Sequence, residues 1–163
     1  MENKTADLCD AFHEKVIITE PVGFRDYGGR KMFSGKIHTL KTFEDHAHVE
    51  KILNTDGTGK VLVVDGGASM RCALTGDRLG GIAVKNNWNG IIINGCIRDS
   101  AGLGQLDLGV KALNTYPISR VTDIVWEENI PVMFAGSTFM PGHYVYCDED
   151  GIIIASEKLT LNN

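Results

Sequence analysis

The residues best placed to do chemistry are an adjacent arginine and aspartate, Arg98-Asp99, and a second aspartate, Asp77, within Gly76-Asp77-Arg78-Leu79. An arginine fork grips a carboxylate or enolate oxygen through two parallel N–H bonds. An aspartate beside it can ligate a hard cation such as Mg²⁺ or Mn²⁺. Asp77 can hold the waters of that cation or orient Arg98. If Gly76 to Leu79 open a helix, their free backbone N–H groups favour an anion. The absent side chain of Gly76 would let a ligand approach the backbone closely. One arginine, two acids and a row of amides suit a keto-acid dianion with a divalent metal. The same residues also fit a plainer description, an ordinary loop pair with Asp77 facing a helix dipole.

The elements around them decide whether these residues meet. Lys60 to Asp65 is a continuous apolar run closed by Gly66 and Gly67, as in a strand buried on both faces. Gly76 to Trp88 reads as a helix with Leu79, Ile82 and Ala83 on one face. Gly90 to Ile97 is a second buried strand, and Val110 to Asn114 a third. Strand, helix, strand in this order predicts a βαβ unit with parallel strands. The helix start then lies at the same edge as the strands' carboxyl ends, where ligands of open α/β sheets bind. Gly76–Leu79 and Arg98-Asp99 are thus expected on one rim.

The flanking sequence predicts shorter elements. Thr5 to Glu14 reads as a helix capped by Thr5, and Val16 to Thr19 as a strand. Gly23 to Arg30 is turn-rich, Ser34 to Phe43 reads as a strand and His48 to Leu53 as a helix. Val132 to Ser137, Tyr144 to Tyr146 and Ile152 to Ala155 read as strands, with Asp148-Glu149-Asp150-Gly151 as a hairpin turn. The expectation is one mixed α/β domain over residues 1–163 with a central βαβ unit.

Composition excludes several classes. The net charge is −5 without a basic tract, which argues against direct nucleic-acid binding by phosphate neutralisation. Four scattered cysteines form no C-x-x-C pair, so reduced thiols of a cytoplasmic protein are expected. The amino terminus does not resemble a secretion signal. No apolar run approaches the ~20 residues of a membrane span. His46-Ala47-His48 has the wrong spacing to share a helix face as a metal pair, and is assigned to the start of a helix. Lys85 is assigned to a solvated helix face, and Trp88 and Trp126 to core or interface.

Longer stretches carry a resemblance. They are Leu62-Val63-Val64-Asp65-Gly66-Gly67, Arg71-Cys72-Ala73-Leu74-Thr75-Gly76-Asp77, Ala83-Val84-Lys85-Asn86 and Asn94-Gly95-Cys96-Ile97-Arg98-Asp99. Leu106 to Leu113 and Tyr146-Cys147-Asp148-Glu149-Asp150-Gly151 continue them. From Thr5 to about Ile154 the chain resembles the family uniting 4-hydroxy-4-methyl-2-oxoglutarate aldolases with the regulator of ribonuclease activity A. The D-x20-R-D motif of that family stands here as Asp77…Arg98-Asp99.

The resemblance implies a swivelling β/β/α domain assembled as a homotrimer or a dimer of trimers, with sites near subunit interfaces. It implies cleavage of 4-hydroxy-4-methyl-2-oxoglutarate to two pyruvates, and oxaloacetate decarboxylation through the same pyruvate enolate. Gly76, Asp77, Arg78, Leu79 and Arg98 would bind the α-keto acid, with Arg98 and Asp77 catalytic and Asp99 at a divalent metal (Mg²⁺ or Mn²⁺). The alternative within the family is a regulator that binds and inhibits an endoribonuclease without catalysis. The aspartate after the arginine, which the enterobacterial regulator type loses, favours the enzyme. The sequence departs from the family pattern at His143, at Gly102 and over Ile118 to Glu128.

Overall fold

The computed structural model describes residues 3–161; Met1-Glu2, part of the start read above as unlike a secretion signal, lies outside them. In chain order the elements are α1 (Thr5–Phe12), β1 (Val16–Ile18), β2 (Arg25–Asp26), β3 (Phe33–Thr42), α2 (Ala47–Leu53) and β4 (Lys60–Asp65). There follow α3 (Asp77–Lys85), β5 (Gly90–Ile97), α4 (Ser100–Leu103), β6 (Gly109–Thr115) and β7 (Trp126–Glu128). The chain closes with β8 (Val132–Phe134), β9 (Ser137–Phe139), β10 (Tyr144–Cys147) and β11 (Ile152–Ala155). One large sheet runs β1-β11-β10-β3-β4-β5-β6-β2, with β7 added beside β3; β8 and β9 form a separate hairpin.

β3, β4, β5 and β6 are parallel neighbours, so the central βαβ unit is present as expected. The remaining pairings are antiparallel. The sheet is buried on both faces at its centre, where Val61 to Val64 and Ile91 to Ile93 are apolar at every position. Leu62, Val64, Ile91 and Ile93 face one core, with Leu53 of α2, Leu79 and Ala83 of α3, and Leu103 of α4. Val61, Val63 and Ile92 face the other, with Val132, Phe134 and Phe139 from the β8–β9 hairpin. Successive residues of a strand point to opposite faces, and both cores draw on this alternation.

One close contact fixes the register of the parallel strands. Gly90 and Gly109 are direct partners across β5 and β6. The ring of Phe33 covers both: a Cβ on Gly90 would lie 2.3 Å from a ring carbon, and one on Gly109 would lie 2.1 Å away.

Three expectations need correction. Thr5 does not cap α1 with its own side chain; it is the first helical residue, and Asp148 performs the capping from the β10–β11 turn. Asp148 accepts the Thr5 N–H and the Thr5 hydroxyl at 2.7 Å each, and the Asp150 N–H at 2.9 Å. The helix predicted to reach Trp88 stops at Lys85, because Asn87 turns left-handed and the Asn86 amide donates back to the Ile82 carbonyl. The strand predicted over Val132 to Ser137 is two strands, folded back at Ala135-Gly136, both of which have positive φ.

The Asp148 cap has a measurable pH signature. Burial pushes its carboxyl up, but the donors from Thr5, Asp150 and Gly151 outweigh it and hold the group below its ordinary range. With the folded pKa depressed, the contribution is complete above the unfolded value of about 3.9 and disappears as pH falls through the lower folded one. Asp148→Asn is expected to lower unfolding stability at pH 7 by about 1–2 kcal/mol, in the range of helix-cap and charged hydrogen-bond losses. The variant and parent should converge toward pH 2 in urea melts.

Candidate active site

The rim predicted from the βαβ topology exists, and a short pairing beyond β5 creates it. The segment between β4 and α3 returns to the sheet and runs parallel to the end of β5, with Ala73 opposite Cys96. The Leu74 N–H donates to the Cys96 carbonyl at 2.9 Å, and the Arg98 N–H donates to the Thr75 carbonyl at 2.9 Å. The start of α3 is thereby tied to the residues that follow β5. β5 also shifts register against β6 between Ile93 and Cys96, which re-aims its last turn.

Gly76, Arg78, Leu79, Arg98 and Asp99 line one small open cavity of about 30 Å³ with His46, Ala73, Thr75 and Ser119. Asp99 stands in the left-handed region at φ 54°, which aspartate tolerates better than most residues. Its carboxylate lies where a Gly76 side chain would be: a Cβ there would sit 2.6 Å from Asp99 Oδ2 and 3.3 Å from Arg98 Cγ. A side chain at 76 would therefore displace the Asp99 carboxylate from its place. Arg98 Nε is 3.8 Å from Asp99 Oδ2, and both side chains are nearly half exposed, so the guanidinium fork is free for a ligand.

Asp77 is the exception among the expected site residues. It does not line the cavity. Its side chain turns toward α4, where a Cβ on Gly102 would be 2.8 Å from Asp77 Oδ2. As the first residue of α3 it projects along the neighbouring helix, while the backbone at Gly76 faces the cavity. Arg78 lines the cavity but is already engaged, donating to both oxygens of Glu50 at 2.6 and 2.9 Å. That fork holds the Glu50 carboxyl below its ordinary range and raises the Arg78 guanidinium above its own.

His46 and Ser119 were not singled out by sequence reasoning for this site. His46 was read as a helix-start residue, and it does precede α2, but it also faces the cavity. Ser119 arrives on the loop between β6 and β7, which Asp45 ties to the start of α2. Asp45 accepts the N–H groups of Ala47, Thr122 and Asp123, and these outweigh the effect of burial to hold its carboxyl low. His48 stacks on Trp126 at 3.9 Å and sits 3.0 Å from Asp123, securing the same loop.

Asp99 is the rim carboxylate available to a metal. Among the described residues no cluster of three or more histidine, cysteine or acidic side chains is placed to hold one. A single exposed carboxylate does not fit a closed zinc site, which takes four protein ligands. It does fit Mg²⁺ or Mn²⁺, which keeps several waters and shares its remaining positions with ligand oxygens.

The fold is a mixed α/β fold with one large sheet, and its strand edge carries Arg98 and Asp99 beside the start of α3. The RraA-like family model, described as Aldolase/RraA, matches residues 5–154, and the chain belongs to that family. A relative from Aromatoleum aromaticum named "Putative 4-hydroxy-4-methyl-2-oxoglutarate aldolase" is 52% identical, over 98% of this chain and 99% of its own. One of the same name from Laribacter hongkongensis is 51% identical over the same shares. Among solved structures, the S-adenosylmethionine:2-dimethylmenaquinone methyltransferase from Geobacillus kaustophilus is similar with TM-score 0.93 and 44% identity, covering 98% and 99% of the two chains. The RNA-processing inhibitor RraA from Thermus thermophilis is similar with TM-score 0.92 and 36% identity, covering 98% and 96%. No helix among the described residues is long and apolar enough to cross a membrane.

Proposed function

We propose that the chain is a metal-dependent, class II-type aldolase that cleaves 4-hydroxy-4-methyl-2-oxoglutarate to two pyruvates and also decarboxylates oxaloacetate. The observation that carries this reading is the meeting of Arg98 and Asp99 with the start of α3 at one cavity. The names of the relatives from Aromatoleum and Laribacter support it.

In this reading the amides of Gly76 to Leu79 and the Arg98 fork bind the α-keto acid end. Asp99 holds Mg²⁺ or Mn²⁺, which supplies Lewis-acid polarisation of the keto group when bound. A water held by Asp99 takes the proton from the 4-hydroxyl group. The C3–C4 bond then breaks, its electron pair passes into the C2 carbonyl, and Arg98 stabilises the enolate oxygen that forms. Protonation at C3 gives the second pyruvate. Oxaloacetate loses carbon dioxide to reach the same enolate. Asp77 serves as a positioning residue against α4.

Two observations support a homotrimer with a neighbouring subunit walling the site. The cavity within one chain is small and open to solvent. The loop beside it exposes Ile118, Val121, Ile124 and Val125.

Pyruvate release from both substrates is expected with Mg²⁺ or Mn²⁺ and is expected to vanish with chelator. Asp99→Ala should lose the metal-dependent rate while its circular dichroism and melting temperature stay near those of the parent. Absence of metal-dependent turnover of either substrate would falsify the enzyme reading. A second reading, a regulator that binds an endoribonuclease, is favoured by the likeness to the Thermus inhibitor. Binding of an endoribonuclease in a pull-down, retained in Asp99→Ala, would distinguish it.

A further inference from the structure

Three separate segments help to wall the cavity, and one carboxylate outside it holds them together. His46 comes from the link between β3 and α2, Ala73 and Thr75 from the segment before α3, and Ser119 from the loop between β6 and β7. Glu44 stands two residues before His46, with its side chain only 10% exposed. Its Oε1 accepts the Ser69 hydroxyl at 2.9 Å and the Arg71 Nε–H at 3.0 Å. The second arm of the Arg71 fork is also on Oε1, at 2.9 Å. Its Oε2 accepts from Arg120 Nη1 at 3.4 Å. Ser69 and Arg71 belong to the segment before α3, and Arg120 follows Ser119 on the loop. Glu44 thus reaches two of these segments from the third. Its backbone is left-handed at φ 51°, a conformation that persists in such a residue only where the surrounding contacts impose it.

Backbone bonds carry this clasp to Arg98. The Ala73 N–H donates to the Ile118 carbonyl at 2.7 Å, and the His46 N–H to the Arg120 carbonyl at 3.0 Å. Two residues past Ala73, the Thr75 carbonyl accepts the Arg98 N–H. The segment gripped by Glu44 is therefore the one that carries the backbone partner of Arg98. A shift of that segment moves the arginine with it. The residues on the far side of the clasp, Arg71 and Arg120, are both exposed. Ion pairs to exposed arginines add little to global stability. What the clasp fixes is local: the relative position of the segments around the cavity.

We propose that Glu44 is a positioning residue of this site: it clasps the segment before α3 to the β6–β7 loop and, through Thr75, sets the place from which the Arg98 fork meets a ligand. The inference rests on the reading of Arg98 as the anion-binding group, but its test reads binding and needs no turnover. The probe is oxalate, a planar dianion shaped like a pyruvate enolate, titrated calorimetrically into the full chain with Mg²⁺. Glu44→Gln keeps the reach of the side chain and removes the charge that draws both arginines. It is expected to weaken oxalate about tenfold, within the range of coupling between residues of one network. Arg71→Ala, which removes one tie at an exposed position, should reproduce part of that loss. A double-mutant cycle separates positioning from general loosening. In Arg98→Lys, whose ammonium has no fork to aim, Glu44→Gln should weaken oxalate by under about twofold. Thermal melts check that the variants fold, and if Glu44→Gln does not, the same cycle is read with Arg71→Ala. Equal weakening in both backgrounds, no weakening in the parent background, or a parent that does not bind oxalate would overturn the proposal. Coupling between the two positions in a protein that turns over neither keto acid would leave this inference standing and sink the aldolase reading alone.

Discussion

Arg98→Ala is expected to reduce kcat for both aldol cleavage and oxaloacetate decarboxylation by about 10²–10³, the usual effect of removing one donor to a developing oxyanion. The two reactions should fall together, since Arg98 serves the enolate they share. Stability should hardly change, because the side chain is 44% exposed and its closest acidic neighbour is 3.8 Å away. Arg98→Lys should recover only part of the rate: an ammonium supplies the charge but not the two parallel donors. Steady-state kinetics on the two substrates measure this directly. Near-parental kcat in Arg98→Ala would remove Arg98 from the proposed chemistry.

Lys111→Met should have the largest effect on stability. Lys111 lies on β6 with its side chain 3% exposed, and Nζ is 3.0 Å from Oδ1 of Asp26, whose side chain is 18% exposed. Asp26 Oδ1 is buried and has no well-directed hydrogen bond, so attraction between the charges is what holds it. Cys147 lies close enough to feel both charges, and burial pushes its thiol pKa up, which keeps it neutral. Removing the ammonium strands a carboxylate with little access to water. The loss from breaking a buried pair in this way is about 3–5 kcal/mol, and the residual exposure of Asp26 places the expectation near 3. The double variant Lys111→Met, Asp26→Leu should regain most of that loss, because no charge is then stranded. Urea midpoints at unchanged m would report both values. A single variant as stable as the parent would contradict this account of the pair.

The parts of the fold legible in the sequence are those whose signal is local. β4 and β5 occupy the residues predicted for them, Lys60–Asp65 and Gly90–Ile97, because each is built on an apolar run, Val61 to Val64 and Ile91 to Ile93, bounded by a change of residue type. The convergence of Gly76 with Arg98 follows from the βαβ connection, which leaves the helix start and strand ends at one edge. The short pairing of Ala73 with Cys96, which makes the convergence tight, has no sequence signature. α4 is a single turn, and β7 is a three-residue strand exposed throughout, so neither carries a hydrophobic period. The cap on α1 comes from Asp148, 143 residues away, and only the packed structure pairs it with Thr5. His46 was hidden for the same reason. Nothing near it in sequence resembles Arg98, and the fold alone brings both to one cavity. Asp77 differs: spacing placed it beside Arg98 and Asp99, and its side chain packs on α4, the turn that follows Asp99, and does not line the cavity.

The ring of Phe33 spanning Gly90 and Gly109 ties three distant positions into one unit of inheritance. Neither glycine can gain even a methyl group while the phenyl ring stays, since the added carbon would overlap it. Loss of the ring alone would open a hole in the core it shares with Ile92 and Val145, over the two glycines it covers. A lineage that changes this corner must therefore exchange the residues together, trading bulk on one strand for bulk on its neighbours. Substitutions at these positions are expected to be correlated across descent, each neutral only in the company of the others.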